Sequence, residues 1–394
     1  MTFPFRPVAR LATVLALLVL AACAGQPSGP PALTLTPVAF SDVPGWTSDR
    51  LEGVMPVLLA ECERLGRLPA DTKLGGQADA GSAAGRAGLF QSACRAARAL
   101  PAGDEATVRR YFETWFLPFV ASDRGNSDAS LTGYFEPEFA GSLSRSDAYP
   151  VPVYGRPQEL VTVANPAPGG SPVTGRVQGG QVVPYWTRAQ IDRGALAGRN
   201  LEILWLHDPV DLFFLQVQGS GRVRLPTGQI VRLGYAGRNG QPYVPLGRLL
   251  IAQHQLDAAA VSMQSIRAWL AAHPSEAASV MEQNPNYVFF RTLDDLVPNQ
   301  GPPGALGVSL TPLRSAAIDR AFLPLGVPLF VSTTRPDGTP LDRLVLAQDL
   351  GTDITGPTRA DLFFGWGGQA ARDAGAMHAG GRIVVLLPRQ PAIP

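Results

Sequence analysis

The chain has few of the residues on which most enzyme chemistries depend. It contains only 4 histidines and 3 cysteines among its 394 residues. The histidines form neither the H-E-x-x-H pattern nor another paired spacing typical of metal ligands. There is no Walker loop and no G-x-G-x-x-G before a helix, and Gly219-Ser220-Gly221 is too short for a G-x-S-x-G elbow. We therefore expect no metal and no cofactor, and serine-nucleophile chemistry is disfavoured.

An excess of charge of either sign is also lacking. The formal net charge is +1, from 33 basic and 32 acidic residues. Without Arg6 and Arg10, which lie in a segment that we expect to be removed, 31 basic residues remain against 32 acidic ones. A near-neutral chain without a basic stripe is not typical of nucleic-acid-binding proteins, so no nucleic acid partner is predicted.

Long apolar runs are absent except at the N-terminus. The run at 11–22 follows two arginines and is too short to cross a bilayer, which is typical of the h-region of a signal peptide. It ends in the letters LAAC, so cleavage would leave Cys23 first, and this resembles a bacterial lipobox. An ordinary signal peptide with an incidental cysteine is the alternative. We predict a signal peptide at 1–22 and a lipidated tether at 23–40.

A lipidated Cys23 would fix the protein to a membrane, because two or more acyl chains give stable anchoring. The segment AGQPSGPP that follows has the composition of a flexible tether. Ala24, rather than Asp, follows the cysteine, which favours the outer membrane by analogy with enteric sorting. The predicted location is therefore the periplasm, with the chain lipid-anchored to the outer membrane.

Three apolar stripes at helical spacing predict a small helical region near the N-terminus. They lie at 51–65, 89–97 and 108–116, and Asp104 is placed to cap the third. Cys62 and Cys94 lie on the first two stripes. In an exported protein they either form a bridge between neighbouring helices or stay as two separately buried thiols.

From Leu131 onward, alternating apolar segments broken by glycine and proline predict mainly strands. The stretch at 201–247 is interpreted as containing several strands, and the turns at 226–228 and 238–240 within it have hairpin chemistry. Helical patches return at 249–255 and 262–273. After a Pro/Gly-rich break, closely spaced short strands favour a small barrel; they lie at 306–310, 315–319, 327–333, 343–348, 361–364 and 381–387.

Two aspartates near the C-terminus are candidates for acid–base chemistry. Asp349 and Asp361 are separated by a turn-rich stretch that can fold back and bring them to one cleft. Asp361 runs directly into Leu362, Phe363 and Phe364. Burial raises the pKa of a carboxyl, and a second carboxylate nearby raises it further, which is what a general acid requires. For either aspartate alone, a turn or capping role is the alternative.

Several separate motifs, in order, carry a resemblance to a known family. GYFEPE, YPVPVYGRP, LQVQGSG and NPNYVFFR resemble membrane-bound lytic murein transglycosylase A, and AQDLGTDITGPTRADLFFGWG resembles the C-terminal three-aspartate module. The aspartates that match the module are Asp319, Asp349 and Asp361. The resemblance covers about 131–387. The family usually has Asp-Thr-Gly where this chain has Asp349-Leu350-Gly351. This difference leaves the matched aspartates unchanged.

The resemblance implies a mainly β fold with an N-terminal helical part. A double-psi β-barrel would hold the catalytic residues, a second β-rich domain would be inserted into it, and a groove between them would hold the glycan strand. The implied ranges are 41–140 for the helical part and first barrel strands, 141–300 for the inserted glycan-binding domain, and 301–390 for the C-terminal barrel module.

The implied reaction is non-hydrolytic cleavage of the MurNAc-β-1,4-GlcNAc bond of peptidoglycan with formation of 1,6-anhydro-MurNAc ends. Asp361 would act as acid and then base, Asp349 would orient it, and Asp319 would support the barrel. Gln216 and Gln218 are expected to alternate onto one strand face, and Trp366 either stacks on a sugar or packs in a core. The expected groove residues are Tyr134, Glu136, Gln216, Gln218, Gly219 and Ser220.

Two other functions stay open at this point. One is a murein hydrolase that uses Asp349 and Asp361 as a pair. The other is a murein-binding lipoprotein without catalytic activity, since a fold alone does not decide function. The expected partners are peptidoglycan glycan strands, the membrane through Cys23, and a cell-wall enzyme complex.

Overall fold

The computed structural model describes residues 29–77, 85–100, 104–165, 172–258, 260–294, 299–351 and 353–389. The expected signal peptide and Cys23 lie outside the described residues. In the described ranges, no helix has both the length and the apolar character that crossing a membrane requires.

The N-terminal part contains the predicted helices. After a first strand, three helices follow, and the chain then enters two long strands: β1 (Leu33–Pro37), α1 (Met55–Gly66), α2 (Gln91–Ala99), α3 (Glu105–Trp115), β2 (Phe116–Asp123) and β3 (Ala129–Glu136). Asp104 caps α3 as predicted, because its carboxylate accepts a hydrogen bond of 2.7 Å from the backbone N–H of Thr107. Phe116 begins β2 instead of ending the third helix.

Cys62 of α1 and Cys94 of α2 form a disulfide, with their Cα atoms 5.3 Å apart. The structure thus decides between the two interpretations of these cysteines in favour of the bridge. The bond ties α1 to its neighbour α2.

The middle of the chain forms the inserted unit. Its elements, in order, are β4 (Glu138–Ser142), β5 (Val151–Tyr154), β6 (Leu160–Val163), β7 (Val173–Gln178), β8 (Gln181–Pro184), α4 (Arg188–Gln190), β9 (Glu202–Leu206), α5 (Pro209–Gln218), β10 (Ser220–Arg224), β11 (Ile230–Arg238), α6 (Leu246–Ala252), α7 (Met263–Ala272), α8 (Pro274–Glu282) and β12 (Val288–Thr292). A six-stranded sheet has the order β12-β11-β10-β4-β9-β5, and β6, β7 and β8 form a smaller sheet.

The last part of the chain returns to the first strands and completes a barrel. Its elements are β13 (Ser315–Ile318), β14 (Pro328–Thr334), β15 (Pro340–Leu350), β16 (Arg359–Trp366), α9 (Gly367–Ala376) and β17 (His378–Pro388). The strand order is β17-β14-β15-β13-β16-β3, and β3 pairs back with β17, so six strands close on themselves. The predicted small barrel is confirmed.

Alternation along the barrel strands separates a core face from a site face. Leu131, Ile318, Ala360 and Leu362 are buried in one core that also contains residues of α1. Each fully buried leucine stabilises this core by roughly 1.5–3 kcal/mol. Because neighbours along a strand point to opposite faces, Asp361 lies on the other face, away from Ala360 and Leu362.

Three local predictions were wrong. The segment at 209–218 is helix α5 and not a strand. The segment at 306–310 is a loop, in which Gly307 takes the left-handed conformation at φ +83°. The turn at 238–240 follows β11 but does not close a hairpin, since the partner of β11 beyond it is the distant β12.

Candidate functional site

The candidate site is built on one row of residues across the barrel. Ala317 of β13 lies in register with Asp349 of β15 on one side and with Asp361 of β16 on the other. Asp361 is in turn paired with Thr132 of β3. Residues in one row across a sheet project to the same face. The two predicted aspartates are therefore brought to one face, with only the small side chain of Ala317 between them.

Asp361 combines a polar contact with an apolar environment. Its Oδ1 accepts a hydrogen bond of 2.6 Å from the hydroxyl of Thr132, and Arg359 donates to that hydroxyl at 2.7 Å. Burial raises the pKa of Asp361 to about 6, against the lowering effects of Thr132 and Arg359, while Asp349 adds to the rise. A carboxyl of this kind holds a proton far closer to neutral pH than an exposed aspartate does.

Asp349 is held at both oxygens. The hydroxyl of Tyr134 donates to Oδ2 at 2.9 Å, and the backbone N–H of Ala305 donates to Oδ1 at 3.0 Å. Burial raises the pKa of Asp349, whereas the hydrogen bonds from Leu350, Tyr134 and Ala305 lower it. Two donors at one carboxylate fix its orientation. A fixed Asp349 is suited to orient Asp361.

Tyr134 donates to Asp349 and packs against the strand of Asp361. Its ring centroid lies 5.3 Å from that of Phe363, and the two residues are paired between β3 and β16. Burial, followed by the charge of Asp349, raises the pKa of Tyr134 well above its usual range. The tyrosine therefore stays a hydrogen-bond donor to Asp349 at any pH at which the protein works.

Asp319 has a different environment. Its two carboxylate oxygens accept hydrogen bonds from the backbone N–H groups of Ala321, at 2.9 Å, and Gly356, at 2.8 Å. Gly356 has φ +106°, a conformation that favours glycine. Asp319 thus holds the loop that leads from Asp349 back to Asp361.

The structure buries Glu136 in a charge cluster. Its exposure is 1%, and it is paired at 2.9 Å with both Arg222 and Arg232. Both arginines also donate to the backbone carbonyl of Gln300. Since β3 leads into the inserted unit and Gln300 lies on the way back, this cluster connects the two crossing segments. The expected contact of Glu136 with a sugar is therefore not supported by its placement.

The expected amide ladder is wrong, because Gln216 and Gln218 lie on helix α5. Gln216 is buried, and its side chain donates to the backbone carbonyl of Val288 at 3.1 Å. Gln218 is the last helical residue, and Gly219, with φ +76°, ends the helix before Ser220 begins β10. The half-buried Gln218 and Ser220 thus flank a turn, and the helix and strand that meet there both contact β3.

Trp366 lies at the end of β16, where the guanidinium of Arg222 is 4.3 Å from its ring centroid. One face of the indole is thus covered by a cation–π contact. This placement connects the strand of Asp361 to the cluster of Glu136.

Three residues around the aspartates were not among the sequence candidates. Thr132 lies two positions before Tyr134, so the same alternation places both on one strand face and could have identified it. Arg359 starts the strand of Asp361 and donates to Thr132. Ala305 acts through its backbone N–H, for which no side-chain signal exists. In the described part of the chain, no group of three or more His, Cys, Asp or Glu side chains is placed to hold a metal.

Comparisons with known proteins identify the family of the chain. A family model described as MltA specific insert domain matches residues 130–291, and one described as 3D domain matches 314–387. The chain is 30% identical over 295 residues to Membrane-bound lytic murein transglycosylase A of Escherichia coli, and the match covers 72% of each protein.

Solved structures are similar over most of the chain. A membrane-bound lytic murein transglycosylase from Agrobacterium tumefaciens matches with a TM-score of 0.80 at 34% identity, covering 90% of this chain and 98% of that one. MltA from Neisseria gonorrhoeae matches with a TM-score of 0.77 at 32% identity, covering 93% and 96%. The barrel is accordingly the double-psi β-barrel with an inserted domain that the resemblance implied, and the chain belongs to the membrane-bound lytic murein transglycosylase A family.

Proposed function

We propose that the chain is a peptidoglycan lytic transglycosylase of the periplasm. It cleaves the MurNAc-β-1,4-GlcNAc bond with formation of 1,6-anhydro-MurNAc ends, and so acts in cell-wall turnover and recycling. The names of its relatives support the reaction class. The observation that carries the proposal is the carboxyl of Asp361, whose pKa is raised to about 6, on the face that it shares with Asp349, both of whose oxygens accept a hydrogen bond.

The reaction requires one proton and no bound water. Protonated Asp361 donates to the glycosidic oxygen as its bond to C1 of MurNAc breaks. The C6 hydroxyl of the same sugar forms a bond to C1 and gives its proton to the Asp361 carboxylate. An intramolecular nucleophile has a large effective concentration, so the second carboxyl of an ordinary glycosidase is not needed. Asp361 is thereby returned to its starting state.

Asp349 serves as the positioning partner in this proposal. Both of its oxygens already accept hydrogen bonds, from Tyr134 and Ala305, which suits orientation and not attack. Its backbone lies two strands from Asp361, or roughly 9–10 Å at ordinary strand spacing. Asp319 supports the loop between them.

The sugar-binding residues are proposed from their position beside the aspartates. Tyr134 lies on the same strand as Thr132, and the turn of Gln218, Gly219 and Ser220 joins two elements that contact this strand. We therefore propose as groove residues Tyr134, Gln218, Gly219 and Ser220. Gln216 and Glu136 are too deeply buried for this role and are assigned to the framework of the inserted unit.

The location and the assembly of the protein are part of the proposal. We infer a membrane-associated periplasmic protein, anchored through a lipid on Cys23 to the outer membrane and able to join a cell-wall enzyme complex. We further propose the ranges 41–140, 141–300 and 301–390 for the helical part with the first barrel strands, the inserted domain and the C-terminal barrel module. Metabolic labelling of the wild type and of Cys23→Ala with a radioactive fatty acid tests the anchor.

Mass spectrometry of the products from purified murein tests the activity. The proposal predicts soluble muropeptides that end in anhydro-MurNAc. Reducing MurNAc ends would instead indicate the hydrolase, and an absence of soluble products together with retained binding would indicate the murein-binding lipoprotein. Asp361→Asn is the matched variant, since it keeps the shape of the side chain but removes the acid.

A further inference from the structure

One face of helix α1 contacts the segments that hold Asp349. Glu61 is buried, with an exposure of 1%, and its Oε2 accepts a hydrogen bond of 2.9 Å from Nε2 of Gln348. Arg64, one turn further along the helix, donates from Nε to the backbone carbonyl of Leu306 at 2.9 Å. Residues three apart lie on the same helix face, so both contacts belong to one surface.

Gln348 is the bulged residue of strand β15. Ala347 is paired with Ala316, and Asp349 is paired with Ala317, so Gln348 has no partner of its own in this ladder. Its side chain is fully buried and accepts a hydrogen bond of 2.7 Å from the hydroxyl of Ser315. A bulge re-aims the side chains that follow it. The anchored amide of Gln348 thus sets the face to which Asp349 projects.

The contact of Arg64 reaches the same aspartate by a second route. The backbone carbonyl of Leu306 accepts the hydrogen bond from Arg64, and its N–H donates to the backbone carbonyl of Gln348 at 3.0 Å. Its neighbour Ala305 donates its backbone N–H to Oδ1 of Asp349 at 3.0 Å. Holding the loop at Leu306 therefore holds the amide of Ala305 against the carboxylate.

Helix α1 has the rigidity that such a role requires. Cys62, next to Glu61, is bonded to Cys94 of α2, and Arg98 of α2 donates to the carbonyl of Cys62 at 2.7 Å. Burial raises the pKa of Glu61 to about 8, so the carboxyl is neutral at pH 7 and accepts from the amide of Gln348 without a buried charge. A positioning group is effective when its own surroundings fix it.

We propose that Glu61 and Arg64 are positioning residues for the transglycosylase reaction, acting on Asp349 through Gln348 and through the Leu306 carbonyl. The inference rests on the proposed function and assigns a role in catalysis to the N-terminal helices. Neither residue touches the substrate, so substrate affinity is not involved.

The first test compares steady-state rates on soluble glycan strands. We expect Glu61→Leu and Arg64→Met each to lower kcat by roughly 10-fold with KM unchanged, since small misplacements at an active site have effects of this size or larger. Glu61→Gln keeps a neutral acceptor for Gln348 and should keep kcat. Glu63→Gln, which changes an exposed residue of the same helix, is the matched control. Equal rates for all four variants would overturn the proposal.

The second test separates positioning from general destabilisation. In an Asp349→Asn background, Glu61→Leu should lower kcat no further, because the residue through which it acts is already changed. A loss of the same size in both backgrounds would contradict the proposal. Arg64→Met gives an independent comparison if Glu61→Leu does not fold.

Hydrogen exchange keeps this inference distinct from the proposed function. Arg64→Met should speed the exchange of the backbone amides in 304–308 relative to the wild type and Glu63→Gln. Unchanged exchange in that segment would overturn the positioning role, even with an active enzyme. A wild type that releases no anhydro products would contradict the proposed function, whereas the exchange result would still stand for or against the contacts of α1.

Discussion

Asp349 and Asp361 lie on either side of a single residue, Ala317, with which both are in register. This arrangement gives the two carboxyls unequal environments. Both oxygens of Asp349 accept a hydrogen bond, from the Tyr134 hydroxyl and the Ala305 amide, whereas Asp361 has the hydroxyl of Thr132 on one oxygen. Unequal environments separate the pKa values of paired carboxyls and so separate their roles. The predictions below follow from this pair and from the elements that hold it.

The first prediction concerns the pH dependence of Asp349→Asn. Asp361 is active as an acid only while protonated, so kcat/KM should fall as pH rises through about 6. The charge of Asp349 contributes to the raised pKa of Asp361, and its removal lowers that pKa. The alkaline limb of the profile should therefore move to lower pH, measured by the rate of release of anhydro products. A shift of the alkaline limb to higher pH would contradict this electrostatic relationship.

Thr132→Val should move the same limb in the opposite direction. The hydroxyl of Thr132 stabilises the ionised form of Asp361, so its loss raises the pKa of the carboxyl. Valine keeps the shape of the side chain and its preference for a strand. The pH profile of this variant, recorded beside that of Asp349→Asn, should place the wild type between the two. Identical limbs in all three proteins would exclude Asp361 as the titrating group.

Glu61 makes the stability of the protein depend on pH. Its pKa rises from 4.5 to about 8 on burial, so between those values the folded chain holds a proton that the unfolded chain has lost. The free energy of unfolding should then fall by about 1.4 kcal/mol per pH unit as pH rises from 4.5 towards 8. The full contribution is present below pH 4.5. Urea unfolding at several pH values measures this slope.

Glu61→Gln should remove that slope and raise stability at neutral pH, because an amide does not ionise. Glu63→Gln serves as the control, since Glu63 is exposed on the same helix. If Glu61→Gln kept the full pH slope of the wild type, the buried carboxyl would not be its source.

The disulfide between Cys62 and Cys94 should stabilise the helical part. The bond closes a segment with a sequence separation of 32, for which the loop-entropy relation gives about 3–4 kcal/mol. A Cys62→Ala and Cys94→Ala double variant should have a lower melting temperature in calorimetry. The wild type in reducing buffer should melt at the lower temperature as well, whereas the double variant should not respond to the reductant.

The Glu136 cluster is predicted to matter for stability more than for binding. Glu136→Gln leaves Arg222 and Arg232 without their buried countercharge, which costs roughly 3–5 kcal/mol in comparable cases. Glu138→Gln breaks the more exposed pair with Arg224 and should cost less than about 1 kcal/mol. Urea unfolding of the two variants measures both effects. Equal costs would contradict the account of a buried clamp between the crossing segments.

The barrel and the position of Asp361 on its strand could be predicted because their signals are local. Alternation around Asp361 places Leu362 in the core and the carboxyl on the opposite face of the strand, which extends from Arg359 to Trp366 around the expected 361–364. The three N-terminal helices were equally evident from their apolar stripes. In each case the side-chain period alone decides which face is buried.

The segment LQVQ at 215–218 was wrongly predicted as a strand because two local signals disagreed. Its alternation suggests a strand, but the chain before it starts a helix: Asp208 accepts a hydrogen bond from the N–H of Val210, and Pro209 occupies the first turn. Gly219 then ends the helix in the left-handed conformation. The cap, the proline and the terminal glycine outweigh a period of two over four residues.

The loop at 304–308 could not be predicted, because its structure depends on distant partners. Leu306 binds Arg64, 242 positions earlier in the chain, and Ala305 uses only its backbone to hold Asp349. No periodicity or turn chemistry encodes such contacts. For the same reason, the sequence revealed the two aspartates but not what fixes them.

The most direct test of the central claim is digestion of purified murein in water labelled with a heavy oxygen isotope. If Asp361 hands its proton to the glycosidic oxygen and the C6 hydroxyl attacks, the new ends are anhydro-MurNAc and carry no label. Asp361→Asn, with folding and murein binding retained, should lower the rate at least about 100-fold. Labelled reducing ends, or full activity of Asp361→Asn, would contradict the account.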